Sequence, residues 1–398
     1  MNEVMTMIRK KMSGFALSAL LASAALSGFG TESAASAAAA GSAPNAAAAC
    51  RTDNHGLALK AMKDTSDPYL GSIQFLSTNI GRAAGNGFMI GTSDAGCHWQ
   101  SIYNTGKLNF TQMNFLSNSK GYVLAQVAYG KPNTLLKTTD GGASYTWIPT
   151  GQHPYDRIQF LNEQTGFGYT RAFTYKTTNG GKSWSKLPTP PNTRYAHFMT
   201  EQKGWAIVVL ATGGYEVKRT LDGGKTWSDS LKVKTASNFG GMIHGTDSAD
   251  VWVLLYGESG MSQTSYSVYH TADAGAHWKQ VISRPTAGGG PAPGPVVPSG
   301  KLAGPAGRPT DMAVVGRQAA FLIAGSGALD ALQFGRSLDD GKTWSNLPGA
   351  APGYDGKLSF PSAKSGYLAV TSFERPAVYK TADSGKTWKK VFSLPASQ

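Results

Sequence analysis

The chain has 398 residues with 49 Gly and 20 Pro, and 37 Lys+Arg against 24 Asp+Glu give a formal charge of +13. Hydrophobic residues at 41% and aromatics at 10% supply a large core and exclude a disordered chain, while the absence of a three-residue Gly period excludes a collagen-like one. Abundant Gly with few charges points to many short strands and tight turns, not long helices.

The first fifty residues fall outside that fold. Arg9, Lys10 and Lys11 precede an apolar stretch and a small-residue run through Ala35-Ser36-Ala37, which is the layout of a secretory signal peptide over 1–37. Its removal takes away three basic and two acidic residues, leaving +12. Residues 38–56 read as a flexible leader and 57–398 as one folded domain, secreted or held in the periplasm or cell envelope. No segment reads as transmembrane, the apolar stretch near the start being too short and too rich in Ala and Ser. Cys50 and Cys97 are a candidate disulfide for an oxidising compartment. Lipidation of Cys50, which follows Ala47-Ala48-Ala49, and two free thiols are the open alternatives.

One pattern then recurs seven times: Ser/Thr, any residue, Asp, any residue, Gly, two residues, aromatic. The copies start at Thr92, Thr138, Thr177, Thr220, Thr271, Ser337 and Thr381. Their acidic positions are Asp94, Asp140, Asn179, Asp222, Asp273, Asp339 and Asp383, and their aromatics Trp99, Tyr145, Trp184, Trp227, Trp278, Trp344 and Trp388. An Asp two residues before Gly can accept hydrogen bonds from its own turn, and the aromatic can fill the gap between neighbouring sheets. These positions are therefore structural. A second element precedes each turn: Phe, Gly six residues on, then usually an aromatic, as at Phe75/Gly81, Phe115/Gly121, Phe160/Gly166, Phe198/Gly204 and Phe360/Gly366. Copies near Trp252 and Phe321 are degenerate.

The turn resembles the Asp-box, or bacterial neuraminidase, repeat of β-propellers. The paired elements, with Thr220 to Trp227 as the fullest turn, look most like the photosystem II stability/assembly factor family and its exported relatives. That resemblance covers about 70–393 and implies an all-β, seven-bladed β-propeller, its first two blades near 70–105 and 106–150. Leu57 to Met62 is expected as an extra strand at the ring seam, which a Cys50–Cys97 bond would lock. The Pro/Gly-rich stretch 285–306 is expected as a disordered insertion.

Gly-Lys-Ser/Thr occurs four times, but a phosphate-binding loop needs a Gly five residues earlier, where Lys176, Arg219, Arg336 and Lys380 stand. The seven His show no metal-ligand spacing, so no metal and no cofactor is expected. In the propellers this chain resembles, ligand loops lie on the face opposite the turns. There the candidate ligand-binding residues are Tyr155, Arg157, Arg171, Arg194, Tyr195, Tyr354, Lys357 and Arg375, with the arginines suited to an acidic partner. Arg157 and Lys357 each stand three residues before a Phe anchor and should occupy equivalent places. The acids on that face, Asp156, Glu216, Glu258, Asp355 and Glu374, include no pair that the sequence singles out as catalytic. The sialidase assignment fails on blade number and on motif, since the nearest run, Phe373-Glu374-Arg375-Pro376, has Glu where that family has Arg.

The reading is thus an exported, monomeric, non-catalytic propeller that binds a protein or glycan, not nucleic acid, and serves as an envelope assembly factor. The alternative is a glycoside hydrolase of the same repeat group.

Overall fold

The structure is a computed structural model that describes residues 50–63, 69–151, 153–298, 300–326, 328, 330–372 and 376–394. All of them belong to the compact unit Ala49–Gln398. The signal-peptide reading and most of the leader reading lie outside the described residues. Among the described residues, no helix is long and apolar enough to cross a membrane.

Among the described residues, strands assemble into six antiparallel sheets. The first contains β1 (Leu70–Phe75), β2 (Gly81–Thr92), β3 (Gln100–Phe115), β4 (Gly121–Gln126), β5 (Thr134–Thr138) and β6 (Thr146–Ile148). The second is β7 (Arg157–Phe160), β8 (Gly166–Tyr169), β9 (Thr174–Thr177) and β10 (Ser185–Lys186). The third is β11 (Thr193–Phe198), β12 (Gly204–Val209), β13 (Tyr215–Thr220) and β14 (Ser228–Val233). The fourth is β15 (Gly241–Gly245), β16 (Val251–Ser259), β17 (Thr264–Thr271) and β18 (Lys279–Arg284). The fifth is β19 (Arg308–Val315), β20 (Ala319–Gly325), β21 (Ala331–Ser337) and β22 (Ser345–Pro352), and the sixth β23 (Asp355–Ser359), β24 (Gly366–Thr371), β25 (Ala377–Thr381) and β26 (Lys389–Ser393).

The result is an all-β propeller, but its blades, counted by sheet, number six where seven were expected. The difference lies in β3. Its first half pairs with β2 and its second half with β4, so the units expected at 70–105 and 106–150 share one six-stranded sheet carrying two of the seven turns. No proline interrupts 100–115, and Gly106, at φ +71°, lets the strand bend without ending.

The Phe–Gly spacing has a steric cause. A Cβ at Gly81, Gly121, Gly166, Gly204 or Gly366 would lie 2.3–2.7 Å from ring atoms of Phe75, Phe115, Phe160, Phe198 or Phe360 respectively. Each Gly is therefore the slot for the ring on the paired strand. Four of those rings stack flat on an aromatic of the preceding unit: Phe75 on Tyr367, Phe160 on Tyr122, Phe198 on Phe167, and Phe360 on Phe321, with centroids 3.3–4.3 Å apart. A tryptophan of the same repeat meets the ring edge-on, as Trp99, Trp184, Trp227 and Trp388 do. In the degenerate copies the pair differs: Gly245 faces Val251, the order of sizes reversed, and Val315 faces Ala319, the order kept with smaller side chains.

All seven turns share one bonding scheme. The Ser/Thr hydroxyl donates to Oδ1 of the acidic residue and accepts from the Gly N–H four residues on, at 2.8–3.0 Å, from Thr92 to Thr381. Asn179 Oδ1 accepts from Thr177 Oγ1 and Ser183 N as the Asp Oδ1 does, while its Nδ2 donates to Ser183 Oγ where Asp140 Oδ2 accepts from Ser144 Oγ. Hydrogen bonds from Thr226 and Thr387 hold Asp222 and Asp383 down at about 2. The residue before the turn's Gly is left-handed in every copy and donates its N–H to the loop between the unit's first two strands, as Gly141 does to Ser119 O.

Buried clusters fill the gaps between successive sheets, including the gap between sixth and first. There Phe75 N donates to Ser359 Oγ at 2.8 Å, and Tyr367 Oη to Thr78 O at 2.8 Å. Cys50 and Cys97 form a disulfide with a sequence separation of 47. Residues 50–63 lie across this seam without forming the strand expected at Leu57–Met62. Asn104 exchanges side-chain hydrogen bonds with Lys60 N and Ala58 O instead, and Ser393 N donates to Asp53 O. Leu57 and Leu59 pack on the seam core, and the His55 ring nitrogen lies within hydrogen-bond distance of Val391 O.

Within 285–298 and 300–306, backbone carbonyls lie against the fourth sheet. Ser267 donates to Pro293 O, Tyr266 to Pro305 O and Ser265 to Gly289 O, at 2.6–2.8 Å, so the segment satisfies hydroxyls buried in β17.

Candidate functional site

In a four-stranded antiparallel sheet the turns between strands one–two and three–four share one end. The loops between strands two and three, and the links to the next sheet, share the other. Each of the seven turns is also hydrogen-bonded to the loop between its unit's first two strands, the first by Ala95 N to Asn79 O, so the turns define one face. The opposite face carries 127–133, 170–173, 234–240 and 260–263. Exposed there are Val127, Tyr129, Phe173, Phe239 and Met261.

Between the second and third sheets this face opens into a cavity of about 370 Å³ lined by Arg157, Tyr169, Arg171, Phe173, Arg194 and Tyr195, with Asp156 on its edge. Arg157 is its centre. Its guanidinium carbon lies 3.8 Å from the Tyr169 ring centroid and 4.1 Å from that of Tyr195, and it donates to Ala196 O. Two aromatic faces hold a planar cation in one orientation, and a guanidinium has five N–H donors, more than one carbonyl can use. Arg171 and Arg194 are exposed at the mouth, and Lys186 Nζ stands 3.4 Å over the Phe173 ring.

Four of the eight candidate residues therefore come together: Arg157, Arg171, Arg194 and Tyr195. Tyr155 does not join them. It is 1% exposed and packed beneath Gly168 and against Trp184, as a core residue. Tyr354 lies in the link before β23, and Lys357 holds on β23 the register place that Arg157 holds on β7. Lys357 Nζ bonds Thr310 O at 3.3 Å beside Asp311 and Asp355, whose carboxyls burial pushes up and Lys357 pulls down. Arg375 and Glu374 lie outside the described residues. Glu216 is engaged by Lys218 and Lys232, at 2.8 and 3.1 Å, while Asp156 and Glu258 are exposed.

Sequence reasoning missed a polar ring on the innermost strands. The residue before each Phe anchor is Gln74, Asn114, Gln159, His197 or Ser359, and four of these bond the backbone of a neighbouring strand. Gln74 exchanges two bonds with Phe115, Asn114 accepts from Phe160 N, Gln159 donates to Phe198 O and Ser359 accepts from Phe75 N. His244 occupies the same place before Gly245. Burial, reinforced by the charge of Arg157, pushes His197 well below the usual 6.5 and His244 down to about 4. The signal was there in the fixed spacing to the Phe anchor.

No family model and no curated protein matches the chain. Solved structures do resemble it. A structure described as YCF48 bound to D1 peptide aligns with 79% of this chain and 97% of its own, at 18% identity and TM-score 0.50. The GH74 xyloglucanase from Xanthomonas campestris aligns with 82% of this chain at 12% identity and TM-score 0.54, and the chain spans about half (54%) of that enzyme's length. A PL25 ulvan lyase aligns at TM-score 0.44. At such identities the likeness concerns the propeller fold.

Proposed function

We propose that the chain is an exported, non-catalytic Asp-box propeller that docks an acidic polypeptide segment across the Arg157–Arg171–Arg194 face. The observation that carries this reading is Arg157, held flat between Tyr169 and Tyr195 inside a cavity with two further arginines at its mouth. Such a group recognises a carboxylate by paired hydrogen bonds. Exposed Phe173 at the cavity and Phe239 on the same face supply apolar area for the rest of the segment. The peptide-bound state named for the YCF48 structure supports a polypeptide partner, and the charge of +12 after signal removal supports an acidic one. Envelope assembly is the role this reading favours.

The test is fluorescence anisotropy with a library of labelled peptides bearing two or more Asp/Glu near an aromatic residue. Binding should weaken with salt and drop at least ~10-fold in an Arg157→Ala/Arg171→Ala/Arg194→Ala variant, as expected for charge-assisted contacts. Binding indifferent to both would remove the proposal. A glycosidase is the second reading, favoured by Asp311 and Asp355, whose carboxyls burial pushes above their ordinary value, towards the protonated form. It requires xyloglucan or related glycan turnover that Asp355→Asn abolishes.

A further inference from the structure

We propose that His270, Asp250 and Asp340 form a binding site for one divalent transition-metal ion, zinc in class, at the junction of the fourth and fifth sheets. His270 Nε2 lies 2.7 Å from Asp250 Oδ1 and 3.3 Å from Asp340 Oδ1, and the three ligand atoms lie within 4.8 Å of one another. His270 and Asp250 are 4% and 1% exposed in their side chains, and Asp340, at 32%, leaves a route from solvent.

The site is a local departure from the repeat. In five other units the residue before the turn's Ser/Thr is Lys137, Lys176, Arg219, Arg336 or Lys380, a fixed cation paired across the sheet with an aromatic-bearing strand. In the fourth sheet that place belongs to His270, stacked on Trp252 with centroids 4.2 Å apart. The left-handed turn position, filled elsewhere by Gly, Ala or Ser, is Asp340 in the fifth sheet. One permanent positive charge has been exchanged for an imidazole and two carboxylates.

A second observation is independent of that pattern. Asp340 Oδ1 is buried and has no hydrogen-bond partner among the described residues, though it points at His270 Nε2. A neutral imidazole offers one N–H, and Asp250 is the closer acceptor, so Asp340 Oδ1 is left facing a nitrogen that cannot serve both. A cation among the three atoms would satisfy all of them. One imidazole with two carboxylates suits zinc and its neighbours, and leaves a coordination position for water. The other oxygen of Asp250 accepts from Thr246 Oγ1 at 2.7 Å, the kind of outer contact that orients a metal ligand. The second His/Cys/Asp group, at Asp94, Cys97 and His98, is no equivalent, because the Cys97 sulfur is in the disulfide.

The experiment is calorimetric titration of the chelator-treated full chain with zinc chloride, with metal content by mass spectrometry. We expect one saturable site per chain and a zinc-dependent rise in melting temperature. Asp340→Gly installs the residue that Gly141, Gly180 and Gly223 already supply at this backbone geometry, so the turn should fold unchanged. It should lower zinc affinity by roughly 100-fold or more and abolish the thermal shift, beyond the 10–100-fold typical of outer contacts. His277→Ala, at an exposed histidine in another turn, should change neither. Absence of saturable binding, binding that survives Asp340→Gly, or binding lost in His277→Ala would each overturn the site.

Discussion

At the junction of the sixth and first sheets, Phe75 lies flat on Tyr367 with Trp99 at its edge, Ser359 and Thr78 bridge the sheets, and residues 50–63 and a disulfide run over the outside. At the junction of the second and third sheets the contributing strands β7 to β10 are four residues long or shorter, and the buried cluster is smaller. A cavity of about 370 Å³ stands open there. The ring closes where the sixth sheet meets the first, and interactions concentrate at that seam. Where closure is not at stake, the packing can be interrupted and polar side chains can face a partner.

Substitutions can break that contrast. The largest effect should come from Phe75→Ala, which empties a stacked site 6% exposed: about 3–5 kcal/mol by urea denaturation, as for buried aromatics generally. Phe173→Ala, 44% exposed at the open junction, should stay within about 0.5 kcal/mol. Equal losses at the two places would show that the seam is not the stronger junction. Next comes Cys50→Ser. Constraining a loop with a separation of 47 residues predicts up to about 4 kcal/mol on the chain-entropy account, read as a lower urea midpoint. An unmoved midpoint would mean that the segment is held without its bond.

Acid should act on the inner ring before the turns. His244, at about 4 in the fold, binds fewer protons than its unfolded counterpart near 6.5. Its contribution is present above about 6.5 and lost as the pH falls towards 4, and His197 acts in the same direction. The melting temperature should therefore decline over that window, and His244→Gln should flatten the decline. Asp222 and Asp383, near 2, lose their part only below the ordinary carboxylate range. Among the losses expected at the seam, the smallest is Ser359→Ala, about 1 kcal/mol for one hydrogen bond, read by urea denaturation.

The sequence announced much of this molecule because its repeat is steric. A Phe needs a Gly slot, a tryptophan edge and a turn to position it, and each requirement recurs at a readable spacing. What it concealed depends on partners far away in the chain. Tyr155 looks like a loop tyrosine until Gly168 and Trp184 are seen to cover it. Residues 285–306 have a linker's composition, yet their carbonyls are the acceptors for Ser265, Ser267 and Tyr266. The blade count failed for a local reason: nothing in Thr105 to Leu108 stops β3. Arg157, Arg171 and Arg194 were visible as charges, but the clamp formed by Tyr169 and Tyr195 was not. His270, Asp250 and Asp340 escaped because their spacing, 20 and 70 residues, follows the repeat and matches no metal motif.

Ser393 N reaches Asp53 O across 340 positions of chain. During synthesis the earliest part of the folded unit therefore waits for nearly the last, and every shorter product is a ring with a gap, exposing the apolar faces of two sheets. Contacts of that separation are slow to form, because the whole intervening chain must be gathered first. Arrival of β26 is thus a structural checkpoint, and a chain cut short anywhere before it presents the kind of surface that proteases and chaperones recognise.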